Sequence, residues 1–135
     1  MFLVDTSVWI DYVQGVESPT VNFLDALLAK PGSTGITDQI YLEILQGSKT
    51  SAGFDKLKRY FSSQQFYRFK NPQESHEAAA RLYFDCRRKG ITIRSSIDCL
   101  IAQCAFEHEL ILLHHDRGFI NLKKVMPGLE EKSFF

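Results

Sequence analysis

The sequence predicts an α/β fold: a single domain over residues 1–135 with a mainly parallel central sheet flanked by helices. Three observations predict it. Short apolar runs alternate with helical patterns along the whole chain, and parallel strands need crossover helices between them. Those runs are continuously apolar, as expected of strands covered on both faces. At 135 residues, 44% of them apolar, the chain is long enough for one full hydrophobic core.

The elements follow in order. Phe2, Leu3 and Val4 open a first strand over 2–5, and a short helix over 6–14 starts from a cap at Thr6 or Ser7 and stops at Gly15. Pro19 opens a second helix with Val21, Leu24, Leu27 and Leu28 on one face, ended by Pro31-Gly32. "STGIT" reads as a second strand, and Asp38 caps a helix over 39–47 closed by Gly47. Residues 51–63 place Phe54, Leu57 and Phe61 on one side of a helix, and "FYRF" reads as a third strand. Pro72 sits in the first turn of a helix that runs to Lys89. "SSIDCLIAQCAFEH" is a helix apolar along its centre, "LILLH" a further strand, and "DRGF" the start of a last short helix. The tail "GLEEKSFF" supplies an edge strand.

Composition bounds the function. Sixteen basic and sixteen acidic side chains cancel, so no whole-protein field marks a nucleic-acid partner and any such site is local. No apolar run is long enough to span a membrane, and the first residues carry no secretory pattern, so a cytoplasmic protein is expected. Cys86, Cys99 and Cys104 are odd in number and lack Cys-x-x-Cys spacing, so buried free thiols are expected in place of a disulfide framework or zinc site.

The acids carry the chemistry. In open α/β sheets, sites lie beyond the carboxyl ends of the strands. Asp5 ends the first strand and Asp116 follows "LILLHH", so both project toward one rim. Glu43 shares a helix face with Ile40, Ile44 and Gly47, which sets it on or beside a buried stripe; taken alone its default reading is a solvated or locally paired acid. Asp98 lies in the first turn of its helix, where an acid also serves the helix dipole. Together, four carboxylates near one rim repel one another without a cation, and an all-oxygen set suits Mg²⁺ or Mn²⁺ better than Zn²⁺.

On "VDTSVWIDY", "EILQGS" and "GITIRSSIDCLIAQCAFEHELILLHHDRGF", the chain resembles PIN-domain ribonucleases, and more closely the VapC-type toxins of toxin–antitoxin pairs. The third segment is the most specific, joining an Arg-Ser-x-x-Asp helix to a Leu-Leu-His-x-Asp-Arg-x-Phe strand exit. The resemblance implies that Asp5, Glu43, Asp98 and Asp116 are catalytic metal-binding acids, with Thr6 or Ser7 ordering the site. It also implies an endoribonuclease that hydrolyses RNA with metal-activated water, using one Mg²⁺ (or Mn²⁺) or a pair of ions. An antitoxin whose C-terminal segment crosses the acidic groove, and a homodimer paired through the helices at 51–63 and 72–89, complete the expectation. Two positions depart from the family pattern: Gly118 stands where many relatives have an acid, and His114 where many have Thr.

Arg94 and Arg117 adjoin proposed ligands and either hold phosphates or balance the acids. Trp9, Tyr12, Phe66, Tyr67 and Phe69 are expected in the core or an interface. Haloacid-dehalogenase-like phosphotransferases need Asp-x-Asp after the first strand, whereas this chain has Asp5-Thr6-Ser7. The alternative reading is a non-catalytic PIN-like module that binds RNA or a partner; keeping four acids argues against it. A metal-free route needs two cooperating histidines among His76, His108, His114 and His115, and the adjacent pair His114 and His115 point to opposite faces.

Overall fold

The computed structural model describes residues 1–135. Its elements are β1 (Phe2–Val4), α1 (Thr6–Val13), α2 (Pro19–Leu28), β2 (Thr34–Gly35), α3 (Asp38–Gln46), α4 (Ser51–Phe61), α5 (Pro72–Arg88), α6 (Ser96–Glu107), β3 (Ile111–Leu113), α7 (Arg117–Lys123) and β4 (Glu130–Lys132). The sheet runs in the order β2-β1-β3-β4, and every pairing is parallel. Leu3 lies between Gly35 and Leu112, and Leu112 pairs Glu131 in turn. All four strands therefore deliver their succeeding residues to one rim.

The predicted fold class stands, with local corrections. "FYRF" adds no strand: it touches the sheet region through one isolated parallel bridge, Ile36 to Phe66. Arg68 instead turns outward to Asp38, 3.1 Å away, and across the Phe66 ring. The cap of α1 is Asp5, not Thr6 or Ser7, and the cap of α3 is Thr37, not Asp38. In both cases a residue still in extended conformation accepts a hydrogen bond from the first turn, the ordinary geometry of an N-cap. The helices also stop short of the predicted ends: α2 at Leu28, α4 at Phe61 and α5 at Arg88.

The core sits on both faces of the sheet. Leu3, Val4, Leu112 and Leu113 are fully buried, each worth about 1.5–3 kcal/mol of transfer free energy. Helix α6 is buried along its centre at Cys99, Ile101, Ala102, Cys104 and Ala105, and so occupies the middle of the molecule. Trp9 and Phe61 meet edge to face at 4.9 Å, which ties α4 to α1. At Gly35 a Cβ would lie 2.3 Å from the Tyr67 ring, so β2 needs glycine to let the loop after α4 close over it. The three cysteines are free and buried, as expected. Burial pushes the Cys99 and Cys104 thiols up to about 12, which keeps both protonated and unreactive. No helix is long and apolar enough to cross a membrane.

Candidate active site

Asp5 leaves β1 and turns directly into α1. Its Oδ2 accepts from the Ser7 backbone N–H at 3.0 Å and from Ser7 Oγ at 2.7 Å. Ser7 Oγ in turn accepts from the His115 backbone N–H at 3.0 Å, so one hydroxyl joins the exit of β1 to the exit of β3. Thr6 acts elsewhere. Its Oγ1 donates to Glu43 Oε1 at 2.7 Å and pulls α3 toward the same rim. The two hydroxyls offered as alternatives by the sequence thus divide the work.

Asp116 caps α7, its Oδ1 accepting from Gly118 N–H at 2.8 Å. A Cβ at Gly118 would stand 3.1 Å from that oxygen, so glycine there lets the turn close tightly on the carboxylate. Asp98 does not cap α6. Ser95 does, through Ile97 N–H at 3.1 Å, which leaves the Asp98 carboxyl buried and turned toward the other acids. Arg94 reaches across the opening, its Nη2 2.9 Å from Asp116 Oδ2 and 3.8 Å from Asp98 Oδ1. Of the two roles open to Arg94, this geometry serves charge balance. Arg117 lies over the Phe135 ring at 4.3 Å and has no carboxylate partner.

The electrostatics show one connected acidic site. Burial pushes the Asp5 carboxyl above the usual carboxylate range, against the pull of its Ser7 hydrogen bonds. Glu43 is also raised, first by burial and then by the charges of Asp5 and Asp116, with Thr6 and Arg94 opposing. Asp98 is pushed up to about 7 by burial and by the Asp5 charge, only partly offset by Arg94. Like charges held together in a half-dry pocket favour protons or a cation. As the side chains stand, no three of them close around an ion, and the Arg94 guanidinium is the positive group that bridges two of the four.

One contact escapes the sequence. His114 is fully buried; its Nδ1 accepts from the Asp116 backbone N–H at 3.2 Å and its Nε2 lies 2.6 Å from Glu131 Oε2. Those partners fix the tautomer with the proton on Nε2, donated to Glu131. The ring thereby clamps the strand exit that carries Asp116 to the edge strand β4. A histidine two residues before an acid is visible in the sequence; its partner seventeen residues later is not.

Residues 2–125 match the PIN domain family model. Ribonuclease VapC11 of Mycobacterium tuberculosis and a VapC ribonuclease of Mycobacterium bovis are each 30% identical over 135 residues, with 99% of both chains covered. Among solved structures, the VapBC2 complex of Rickettsia felis bound to a promoter DNA fragment contains a chain similar at TM-score 0.73 and 20% identity, covering 99% of this chain and 98% of that one. A toxin–antitoxin complex of Klebsiella pneumoniae gives TM-score 0.70 and 19% identity, covering 98% and 97%. At those identities the structures speak for the fold, while the full-length sequence matches speak for descent: the chain belongs to the PIN-domain family, among the VapC ribonucleases.

Proposed function

We propose that the protein is a divalent-metal-dependent endoribonuclease, the toxin of a toxin–antitoxin pair. The observation that carries this reading is the gathering of Asp5, Glu43, Asp98 and Asp116 at the carboxyl rim of the sheet, with three of the four carboxyls raised by burial and, at Glu43 and Asp98, also by the charges of Asp5 and Asp116. The donors are all carboxylate oxygens, which fits Mg²⁺ or Mn²⁺, and the four acids are the residues that would hold it. When bound, such an ion polarises a phosphoryl oxygen and eases deprotonation of water.

The chain's own groups do the rest. Ser7 holds Asp5, Thr6 holds Glu43, and Gly118 N–H holds Asp116, so the carboxylates are oriented before substrate arrives. Arg94, 71% exposed, screens the acids from the solvent side. Arg117, without a carboxylate partner, is a rim cation left for a phosphate.

A two-histidine mechanism finds no pair here. His114 is sealed between Asp116 and Glu131, while His76 and His108 bond to the backbone carbonyls of Pro72 and Arg68. Only His115 is exposed at the rim. Attack by water with loss of the ribose 3′-oxygen leaves a 5′-phosphate and a 3′-hydroxyl. Cleavage of single-stranded RNA is therefore expected to need Mg²⁺ or Mn²⁺, to stop in EDTA, and to yield those ends. Formation of 2′,3′-cyclic phosphate ends, undiminished in EDTA, contradicts the mechanism.

The antitoxin expectation gains a surface. Trp9, Ile10, Val13, Ile44 and Leu57 line an apolar groove of about 110 Å³ between α1, α3 and α4. It starts one helical turn from Asp5, and the buried Trp9 indole N–H has no acceptor within the chain. Such a groove takes the apolar face of an amphipathic helix, and an arginine of that partner can reach the acids. The homodimer rests on exposed Phe54, Tyr60 and Phe84 of α4 and α5; on the same helices Phe61 is fully buried and Tyr83 partly so. Three free thiols fit the reducing cytoplasm. Co-expression with a cognate antitoxin is expected to abolish toxicity and to yield a complex whose light-scattering mass holds two copies of this chain. Undiminished toxicity with both proteins folded removes the antitoxin, and a mass with one copy removes the dimer.

A further inference from the structure

Resting on the ribonuclease reading, we propose that the segment leaving β4 builds a nucleobase-stacking wall beside the acidic pocket, in which His115 and Phe135 hold one unpaired base of the RNA and Arg117 and Lys132 face its phosphates.

Topology places the segment. Because β4 runs parallel to β3, it leaves the sheet at the same rim as Asp5 and Asp116. The chain continues from β4 through Ser133, Phe134 and Phe135, and both phenylalanines are exposed, at 38% and 51%. Phe134 packs against the Phe23 ring at 5.5 Å, whereas Phe135, at 51% exposure, rests on the rim residues themselves.

The rings are arranged, not loose. Phe135 stacks on His115 with centroids 4.7 Å apart and planes 20° from parallel. His115 is itself pinned: its backbone N–H is bound to Ser7 Oγ, the hydroxyl that holds Asp5. The wall is thus two hydrogen bonds from a carboxylate of the pocket, and His115 and Arg117 flank Asp116 in the chain.

The cations nearby are not neutralised by acids. Arg117 lies 4.3 Å over Phe135, and Lys132 lies 4.9 Å over Phe134 and 5.1 Å over Phe23. Each rests on a π face, Arg117 exposed and Lys132 half-buried, a weak hold that a phosphate can outcompete. Aromatic faces interleaved with unpaired cations are what single-stranded RNA binds, since each base offers a π face and each link a charge. The acidic pocket alone repels RNA; this strip gives the strand a reason to lie across it.

The test uses the Asp5→Asn protein, so that cleavage does not interfere, with a short adenylate homopolymer and an abasic strand of the same length as probes. Phe135→Ala is expected to weaken binding of the base-bearing strand about tenfold, the usual worth of one base–aromatic stack, and to leave the abasic strand unchanged. Phe135→Trp is expected to keep full affinity. Arg117→Ala is expected to weaken both strands alike. Equal affinity of Phe135→Ala and its parent for the base-bearing strand overturns the wall, as does a loss that is the same for both strands. If Asp5→Asn binds neither strand and the wild-type protein cleaves no RNA with Mg²⁺, the ribonuclease reading falls with it; cleavage by wild type alongside an inert Phe135 overturns the wall alone.

Discussion

Asp5→Asn is expected to leave a folded protein that no longer cleaves RNA. Asparagine is isosteric, keeps an oxygen for the Ser7 backbone N–H, and is as good an N-cap as aspartate, so α1 still starts where it does. The substitution removes one anionic oxygen of the proposed ion site. Transition-state charge stabilisation by such an ion is worth several kcal/mol, so the rate is expected to fall by about a thousandfold or more. The variant is also expected to be at least as stable as the parent in EDTA, because the buried Asp5 charge and its repulsion toward Glu43 and Asp98 are gone. Asp5→Ala separates the two effects: it loses the cap as well, at a cost of about 1 kcal/mol. Gel assays with a defined RNA and thermal melts of the same samples decide the matter. Substantial cleavage by a folded Asp5→Asn protein removes Asp5 from the chemistry.

The parallel sheet is legible in the sequence because its central strands, β1 and β3, are continuously apolar and the strands are separated by helices with clear stops at Gly15, Gly90 and the Pro31-Gly32 pair. The rim position of Asp5 and Asp116 follows from that topology without any knowledge of contacts. "FYRF" misleads because its aromatic residues favour strands, while here Arg68 and Lys70 are simply exposed beside a loop. The caps at Asp5 and Thr37 lie one residue from their expected places, since Asp-Thr-Ser and Thr-Asp offer adjacent side chains of equal capping power. Long-range side-chain partners are beyond the reach of sequence patterns: Thr6 with Glu43, Ser7 with the His115 backbone, and His114 with Glu131 are set by the packing of separate elements. Arg94 shows the limit most plainly. Its proximity to Asp98 in sequence is visible, but its shorter contact is to Asp116, which only the fold brings near.

Without divalent metal the protein is expected to lose stability as pH rises from about 5 to about 8, opposite to a protein whose acids are paired. The sign follows from the carboxyls. Asp98 titrates near 7 in the folded chain against 3.8 for the free group, and Asp5 and Glu43 are raised as well. Between the unfolded and folded values the native state keeps protons that the unfolded chain has released, so the stability falls with increasing pH across that window and levels off above it. Asp98 is almost out of solvent, its side chain 7% exposed, so screening removes little of the effect. For one proton held over two pH units the change is about 2–3 kcal/mol. In a chain of this length that corresponds to roughly 5–10 °C in Tm. Mg²⁺ is expected to cancel the loss, since an ion at a hundred times its Kd stabilises by about 2.7 kcal/mol and replaces the protons as the charge that holds the acids together. Asp98→Asn is expected to flatten the metal-free profile, because it removes the group that titrates nearest neutrality. Melts in EDTA across this pH range, for the parent and for Asp98→Asn, read the effect directly. A parent Tm that climbs toward pH 8 in EDTA, with the same slope in Asp98→Asn, rules out the crowding of buried carboxylates as the property that prepares the site for a cation.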